Sequence, residues 1–260
     1  MKRNKRHDQI LEIVAREGEV SVDILATRFG VSVMTIRRDL AHLAHTGRLS
    51  RTHGGAVPSR AGVIEFSFHE KENRRALQKR AIASKVAAMI SPGMAVALDT
   101  GTTTLEIARA LSGTSGVTVL TTSLAIASVL YANENIELVL LGGNVRKNSP
   151  DLMGPLTEDN LKRFRIHLAV LGADAVTRDG IFTTDIGISR ISRAMAGNAD
   201  NVVLAADSTK FTQTAFVKCV SLQEIDRLVT DDGCSEDIRA WLEEAIGEVI
   251  YVSTGSETAL

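Results

Sequence analysis

The chain has 260 residues, 44% of them hydrophobic, with two cysteines and a formal net charge of −1. That length suits one large domain or a small and a medium one, and no apolar run reaches the ~18 residues needed to span a bilayer. Cys219 and Cys234 make neither a disulfide framework nor a metal-ligand cluster, and the charged N-terminus lacks the apolar segment of a secretory signal. A cytoplasmic protein with reduced thiols, no metal and no membrane contact is therefore expected.

The near-zero total hides an asymmetry. Residues 1–55 carry 10 Lys/Arg and 6 Asp/Glu, so 10 − 6 = +4, while the remainder carries 20 and 25, so 20 − 25 = −5. A basic head on an acidic body fits a DNA reader attached to a domain that does not touch DNA.

In chain order, Lys2, Arg3, Lys5 and Arg6 read as a phosphate-contacting arm or, equally, as a frayed solvated terminus. Asp8 to Ala15 is predicted to be a helix with Ile10, Leu11 and Val14 apolar. Ser21 suits an N-cap, because its hydroxyl can accept from a free amide in the first helical turn. Ile24, Leu25 and Phe29 then form an apolar stripe, and Gly30 ends that helix in a left-handed conformation. Val31 plugs the gap between two helices, and Ser32 caps the second, Val33 to about His45. Ile36, Leu40 and Leu43 share its buried face, so Arg38 points away from that face, flanked by Arg37, with Met34 and His42 on the same outer side. In a helix-turn-helix the N-terminal part of such a helix enters the major groove. A guanidinium there can fork onto guanine or onto phosphate oxygens, and Thr35 can bond a phosphate or meet a thymine methyl. Gly47 ends the helix, and Leu49 to Gly55 reads as a short hairpin with a basic, glycine-tipped wing.

This segment resembles the winged helix-turn-helix of the DeoR family of bacterial transcription regulators. The matching residues are Val20-Ser21-Val22, Phe29-Gly30-Val31-Ser32, Thr35 to Leu40 (TIRRDL) and Arg51 to Ala56 (RTHGGA). The resemblance implies that Thr35, Arg37 and Arg38 read an operator, with Ser32 beside them, and that Arg51 and His53 belong to the wing. Asp39 is expected to organise arginines or a helix end, since DNA would repel a carboxylate.

Pro58 to about Phe68 lacks an apolar period and is read as linker, which gives domains at 1–57 and 76–260 with 58–75 between them. A helix is predicted from Ala76 to Ile90, with Leu77, Ile82, Val86, Met89 and Ile90 apolar. Strands are expected at Met94–Leu98, Val117–Thr121, Ile136–Leu141, Leu168–Leu171, Val202–Ala206, Leu228–Thr230 and Glu248–Val252. Helices are expected after Thr104 to Leu111, at Ser123–Ala132, Gly187–Ala196 and Ser235–Ile246. Strand–helix alternation with continuous apolar strands predicts an α/β domain, Rossmann-like, with a mainly parallel sheet covered on both faces.

Ligands in such sheets sit beyond the carboxyl ends of the strands. Four ends here carry small, polar or charged residues. Asp99-Thr100-Gly101-Thr102-Thr103-Thr104 precedes a helix and reads as an anion cradle or as plain capping. It lacks the lysine and glycine spacing of a nucleotide P-loop. Thr121-Thr122-Ser123 opens another helix, Gly142-Gly143 allows close approach of a ligand, and Asp207 stands three residues from Lys210. Asp174 follows the strand ending at Leu171.

The DeoR resemblance continues through Leu98 to Thr103, Leu140 to Gly143, Leu171 to Asp174, Gly180 to Thr184 and Ala206 to Phe211, and so covers nearly the whole chain. It implies a sensor domain similar in fold to ribose-5-phosphate isomerase that binds a phosphorylated sugar and releases the repressor from double-stranded operator DNA; a homodimer or tetramer that places two readers on two half-sites is the expected assembly. By that resemblance Asp99, Thr100, Gly101, Thr102, Thr103 and Ser123 hold the phosphate or polyol. Lys71, Lys79, Asp207 and Lys210 fall at positions implicated in the response. No catalytic residue, cofactor or metal is expected. The rival reading is a sugar-phosphate isomerase or deaminase with a DNA-binding appendage, using Asp174, Asp207 and Lys210.

Overall fold

The computed structural model describes residues 3–45, 49–52, 54–57, 68–146 and 149–254. The chain divides into two units, residues 1–66 and 67–260.

The first unit runs α1 (Arg3–Glu17), β1 (Val20–Ser21), α2 (Val22–Phe29), α3 (Val33–His45), β2 (Ser50–Arg51) and β3 (Gly55–Val57). Ser21 caps α2, its Oγ accepting from the Ile24 amide at 3.3 Å, and Gly30 ends it at φ 63°, both as the sequence predicts. The wing is a three-stranded antiparallel sheet in the order β1-β3-β2, with Val20 opposite Ala56 and Ser50 opposite Val57. Gly55 is required where β3 crosses β1, because a Cβ there would stand 2.1 Å from the Val20 carbonyl oxygen. Ile10, Val14, Val20, Leu25, Ile36, Leu40, Leu43, Leu49 and Ala56 form the core, with Val31 packed against it.

Two sequence expectations change here. The first helix begins at Arg3, before the expected Asp8, and Arg6 is buried within the unit at 8% exposure. Arg6 therefore does not belong to a phosphate-contacting arm. Ile24 does not join the apolar stripe of α2; it is 52% exposed, and Val22, Leu25 and Ala26 carry the burial instead. Gly47, His53 and the stretch 58–67 lie outside the described residues.

The second unit begins with α4 (Phe68–Asn73), a helix inside the stretch read as linker, and α5 (Ala76–Ala87). Leu77 is not a core member of α5, at 49% exposure; Lys79, Ile82, Ala83 and Val86 take its inner face. The chain then follows β4 (Ala95–Leu98), α6 (Thr102–Ala110), β5 (Val117–Thr121), α7 (Leu124–Leu130), β6 (Ile136–Leu140), β7 (Asn144–Val145) and β8 (Leu152–Met153). It continues through α8 (Pro155–Leu161), β9 (Leu168–Leu171), β10 (Ala175–Thr177), β11 (Gly180–Thr183), α9 (Ile186–Gly197) and β12 (Val202–Ala205). The last elements are β13 (Val217–Val220), β14 (Arg227–Asp231), α10 (Glu236–Ala245) and β15 (Glu248–Val252).

Seven strands make one parallel sheet in the order β15-β14-β12-β9-β4-β5-β6. Every strand predicted from the continuous apolar runs is in it. The pleat sends alternate residues to opposite faces. Leu168 and Val170 join Ile82, Val86, Leu105 and Ile126 on one side, while Ala169 and Leu171 join Leu161, Ile191, Met195 and Leu242 on the other. The direction of winding reverses between β4 and β9, so the topological switch point lies where Asp99 leaves β4 and Gly172-Ala173-Asp174 leaves β9.

A smaller antiparallel sheet, β10-β11-β13, had no sequence expectation. Its hairpin turns through Arg178-Asp179 into Gly180 at φ 144°, where a Cβ would stand 2.2 Å from the Val220 carbonyl oxygen. The Asp-Gly pair was the available signal.

Candidate functional site

Helix α3 presents its cations and hides its acid. Arg37 and Arg38 are exposed on α3, and Arg51 is exposed on β2. Ser32 caps α3: its Oγ accepts from the Thr35 amide at 3.2 Å and shares a hydrogen bond with Thr35 Oγ1 at 2.9 Å. Asp39 is only 2% exposed and accepts from Arg6 Nε at 2.7 Å, with His7 Nε2 at 2.9 Å on its other oxygen. Asp39, expected to organise the DNA-facing arginines or a nearby helix end, is instead held by Arg6 and His7 of α1. Burial pushes its carboxyl up, but the bonds from Arg6 and His7 outweigh this and hold it below the ordinary value. The pairing ties α1 to the back of α3.

In the second unit the predicted residues separate into a charged cluster and a set of loop builders. Lys71 on α4 places Nζ 2.7 Å from Asp174 Oδ1. Asp174 Oδ2 accepts from Thr183 Oγ1 at 3.0 Å, the Thr184 amide at 3.1 Å and Thr184 Oγ1 at 3.3 Å. Burial alone would raise this carboxyl, yet the Lys71 charge and hydrogen bond pull it down to about 2. Lys79 is 4% exposed, and its Nζ donates to the Lys71 carbonyl. Its burial lowers it to about 8, against the pull of Asp207 and with the push of Lys210. Lys210 is likewise lowered by burial, with Asp207 and Asp174 opposing that effect and Lys71 and Arg74 adding to it. Lys71, Lys79, Lys210, Asp174 and Asp207 thus form one electrostatic cluster at the carboxyl ends of β9 and β12.

Asp99 lies beside it at the end of β4, 2% exposed, accepting from the Thr100 amide at 2.8 Å and Ser192 Oγ at 3.0 Å. Its burial raises the carboxyl to about 7. Gly101, at φ 140°, opens α6 with no side-chain cap, and Thr102 and Thr103 follow as buried residues. Thr102 Oγ1 stands 3.5 Å from the Lys71 carbonyl, which links this cradle to α4.

Other predicted groups have internal partners. Ser123 caps α7, its Oγ accepting from the Ile126 amide at 3.3 Å. The Thr100 hydroxyl donates to Asp151, a carboxylate brought over the strand ends after β7 and held by Arg146 at 3.2 Å. Thr157 Oγ1 donates to the Gly142 carbonyl at 2.7 Å, and a Cβ on Gly143 would stand 2.0 Å from that same hydroxyl. Asp207 Oδ1 accepts from the Thr209 amide at 3.1 Å.

Sequence reading missed Arg75, Asp151 and Asp231. Arg75 takes φ 55° between α4 and α5, and its Nη2 reaches Asp231 Oδ2 at 3.0 Å and Ser208 Oγ at 3.1 Å. A left-handed arginine has no sequence signature; Asp231 at the end of an apolar strand did offer one.

Among the described residues no helix is long and apolar enough to cross a membrane, and no cluster of side chains could hold a metal ion. Both cysteines are free and buried.

The family description "DeoR-like helix-turn-helix domain" matches residues 6–60, and "DeoR C terminal sensor domain" matches residues 74–232. The glycerol-3-phosphate regulon repressor of Escherichia coli K12 is 34% identical over 233 residues, covering 89% of this chain and 92% of the relative. The regulator GlpR of Haloferax volcanii is 35% identical over 242 residues, covering 93% and 94%. A solved ribose 5-phosphate isomerase from Methanocaldococcus jannaschii is more distant: 21% identity, 54% of this chain and 55% of that one, TM-score 0.38. The chain belongs to the DeoR family, as a DNA-binding transcriptional regulator built from a helix-turn-helix unit and a sensor domain.

Proposed function

We propose that this regulator represses genes of sugar or polyol catabolism and leaves its operator when a small phosphorylated sugar or polyol binds at the carboxyl ends of β4, β9 and β12. The observation that carries this reading is the convergence of Lys71, Lys79 and Lys210 on Asp174 and Asp207. Burial disfavours the ammonium forms of Lys79 and Lys210. A dianionic phosphate would stabilise those charges, and the uncapped α6 N-terminus adds a favourable dipole beside them. The polyol hydroxyls would then meet Asp99 and the Thr100–Thr103 turn. Related chains named as glycerol-3-phosphate repressors support the ligand class.

On the DNA side, Ser32, Thr35, Arg37, Arg38, Arg51 and His53 are the proposed operator contacts. The regulator acts in the cytoplasm as a homodimer or tetramer that places two readers on two half-sites. The effector must bind the released state more tightly, and a 100-fold loss of DNA affinity needs about 2.7 kcal/mol of coupling.

The enzymatic reading asks more of Asp174 than its surroundings allow. Both oxygens already accept hydrogen bonds, and the carboxyl sits at about 2. A general base needs a value nearer the working pH and an oxygen open to the substrate. We therefore read the chain as non-catalytic; turnover of ribose 5-phosphate that disappears in Asp174→Ala would reverse this.

The test is fluorescence anisotropy of the full chain on DNA upstream of its own gene cluster, titrated with a panel of sugar and polyol phosphates. Salt-sensitive binding released by one phosphate, and not by its unphosphorylated form, is the expected result. Binding that every compound leaves untouched refutes the effector assignment.

A further inference from the structure

The recognition helix carries an exposed apolar residue for which the fold has no use. Met34, the second residue of α3, is 55% exposed and lies outside the apolar core of its unit. At about 100° per residue, Met34 and Arg38 both lie within about 30° of the direction opposite Ile36, Leu40 and Leu43. They form the ridge of the helix farthest from the unit's own core. As i and i+4 neighbours they lie side by side, about 6 Å apart along the axis. The other N-terminal candidate on this helix, Thr35, shares its hydroxyl with Ser32 at 2.9 Å.

In a helix-turn-helix these N-terminal positions meet base edges. The major groove presents one apolar group of its own, the C5 methyl of thymine. An unbranched, polarisable thioether adapts readily to such a group. A rise of about 6 Å along the helix corresponds to roughly two base steps.

We propose that Met34 reads a thymine methyl in each operator half-site, within two base steps of the pair met by Arg38. The proposal rests on the reading that α3 enters the major groove. It explains why a large apolar side chain stands between arginines on a surface otherwise suited to phosphate and guanine.

The full-length protein first selects its site from a randomised duplex pool. Each thymine of the selected half-site is then replaced by 2′-deoxyuridine, which removes the C5 methyl and nothing else. One replacement in each of the two half-sites should weaken wild-type binding about 15-fold, the value of two buried methyl groups at ~0.8 kcal/mol each. Met34→Ala, whose side chain is outside the core, should lose that same factor on the thymine site and be indifferent to the replacement. Met34→Leu should retain most of the sensitivity. Equal losses in wild type and Met34→Ala at every thymine, no loss anywhere, or a half-site without thymine within two base steps of the pair that Arg38→Ala ceases to discriminate would overturn the proposal and leave α3 as the reader. A pool that converges on no sequence would remove the groove assignment and the proposal together.

Discussion

Lys71 Nζ and Asp174 Oδ1 stand 2.7 Å apart although 103 residues separate them in the chain. The pair joins α4, the first described element after residue 67, to the end of β9 at the switch point of the large sheet. Lys79 holds the Lys71 carbonyl from the next helix, so the two lysines and Asp174 act as one unit.

Asp174 is held at about 2, below its unfolded value, so its contribution to stability is present above about pH 4 and is lost as pH falls toward 2. At neutral pH it amounts to about 2 kcal/mol. Asp174→Asn should lose roughly that amount in urea unfolding and should lack the corresponding acid-induced step.

Asp99 has the opposite sign. Its carboxyl is raised to about 7 in the folded chain, so the folded state holds the proton more tightly and stability declines as pH rises from about 4 to 7. Urea unfolding should show a loss on the order of 1–3 kcal/mol between about pH 5 and pH 8 that Asp99→Asn abolishes. A variant with the same slope as wild type would place that titration on another group.

Asp39 pairs with the buried Arg6 guanidinium. Asp39→Ala leaves that charge without its carboxylate and should destabilise the first unit by about 3–5 kcal/mol, with loss of operator binding at the same temperature. Thermal unfolding followed alongside anisotropy distinguishes this from a lost DNA contact, because Arg38→Ala should cost about 1–3 kcal/mol of binding with the melting temperature unchanged.

Lys210→Ala should keep operator affinity and lose release by the effector. Normal release in this variant would place the ligand elsewhere.

Gly143 has φ 127°, and its α-carbon faces Thr157 Oγ1 and the Met153 carbonyl. Gly143→Ala should destabilise the second unit by roughly 1–3 kcal/mol through that clash. A variant of full stability that no longer responds to the effector would assign the glycine to ligand approach instead.

The main elements were legible because their physics is local. The cap at Ser21, the left-handed Gly30 and the face of Ile36, Leu40 and Leu43 follow from spacing alone. So do the seven apolar strands, since a strand covered on both faces must be apolar at successive positions. The β10-β11-β13 sheet was harder to see, because its strands are short and β13, which pairs with β11, lies more than thirty residues further along the chain.

The sequence by itself determined a basic helix-turn-helix unit followed by a parallel α/β domain, and it named most of the charged groups at the strand ends. Only the tertiary structure decided which of those groups belong together. Lys71 meets Asp174, Arg6 meets Asp39, Arg75 reaches Asp231, and Asp151 claims the Thr100 hydroxyl. The reason is that apolar burial is written into local periodicity, whereas an ion pair depends on strand order and on where each helix returns the chain. A carboxylate at a strand end is visible in one dimension; whether a cation, a hydroxyl or a ligand satisfies it is fixed by the elements that converge on it in three.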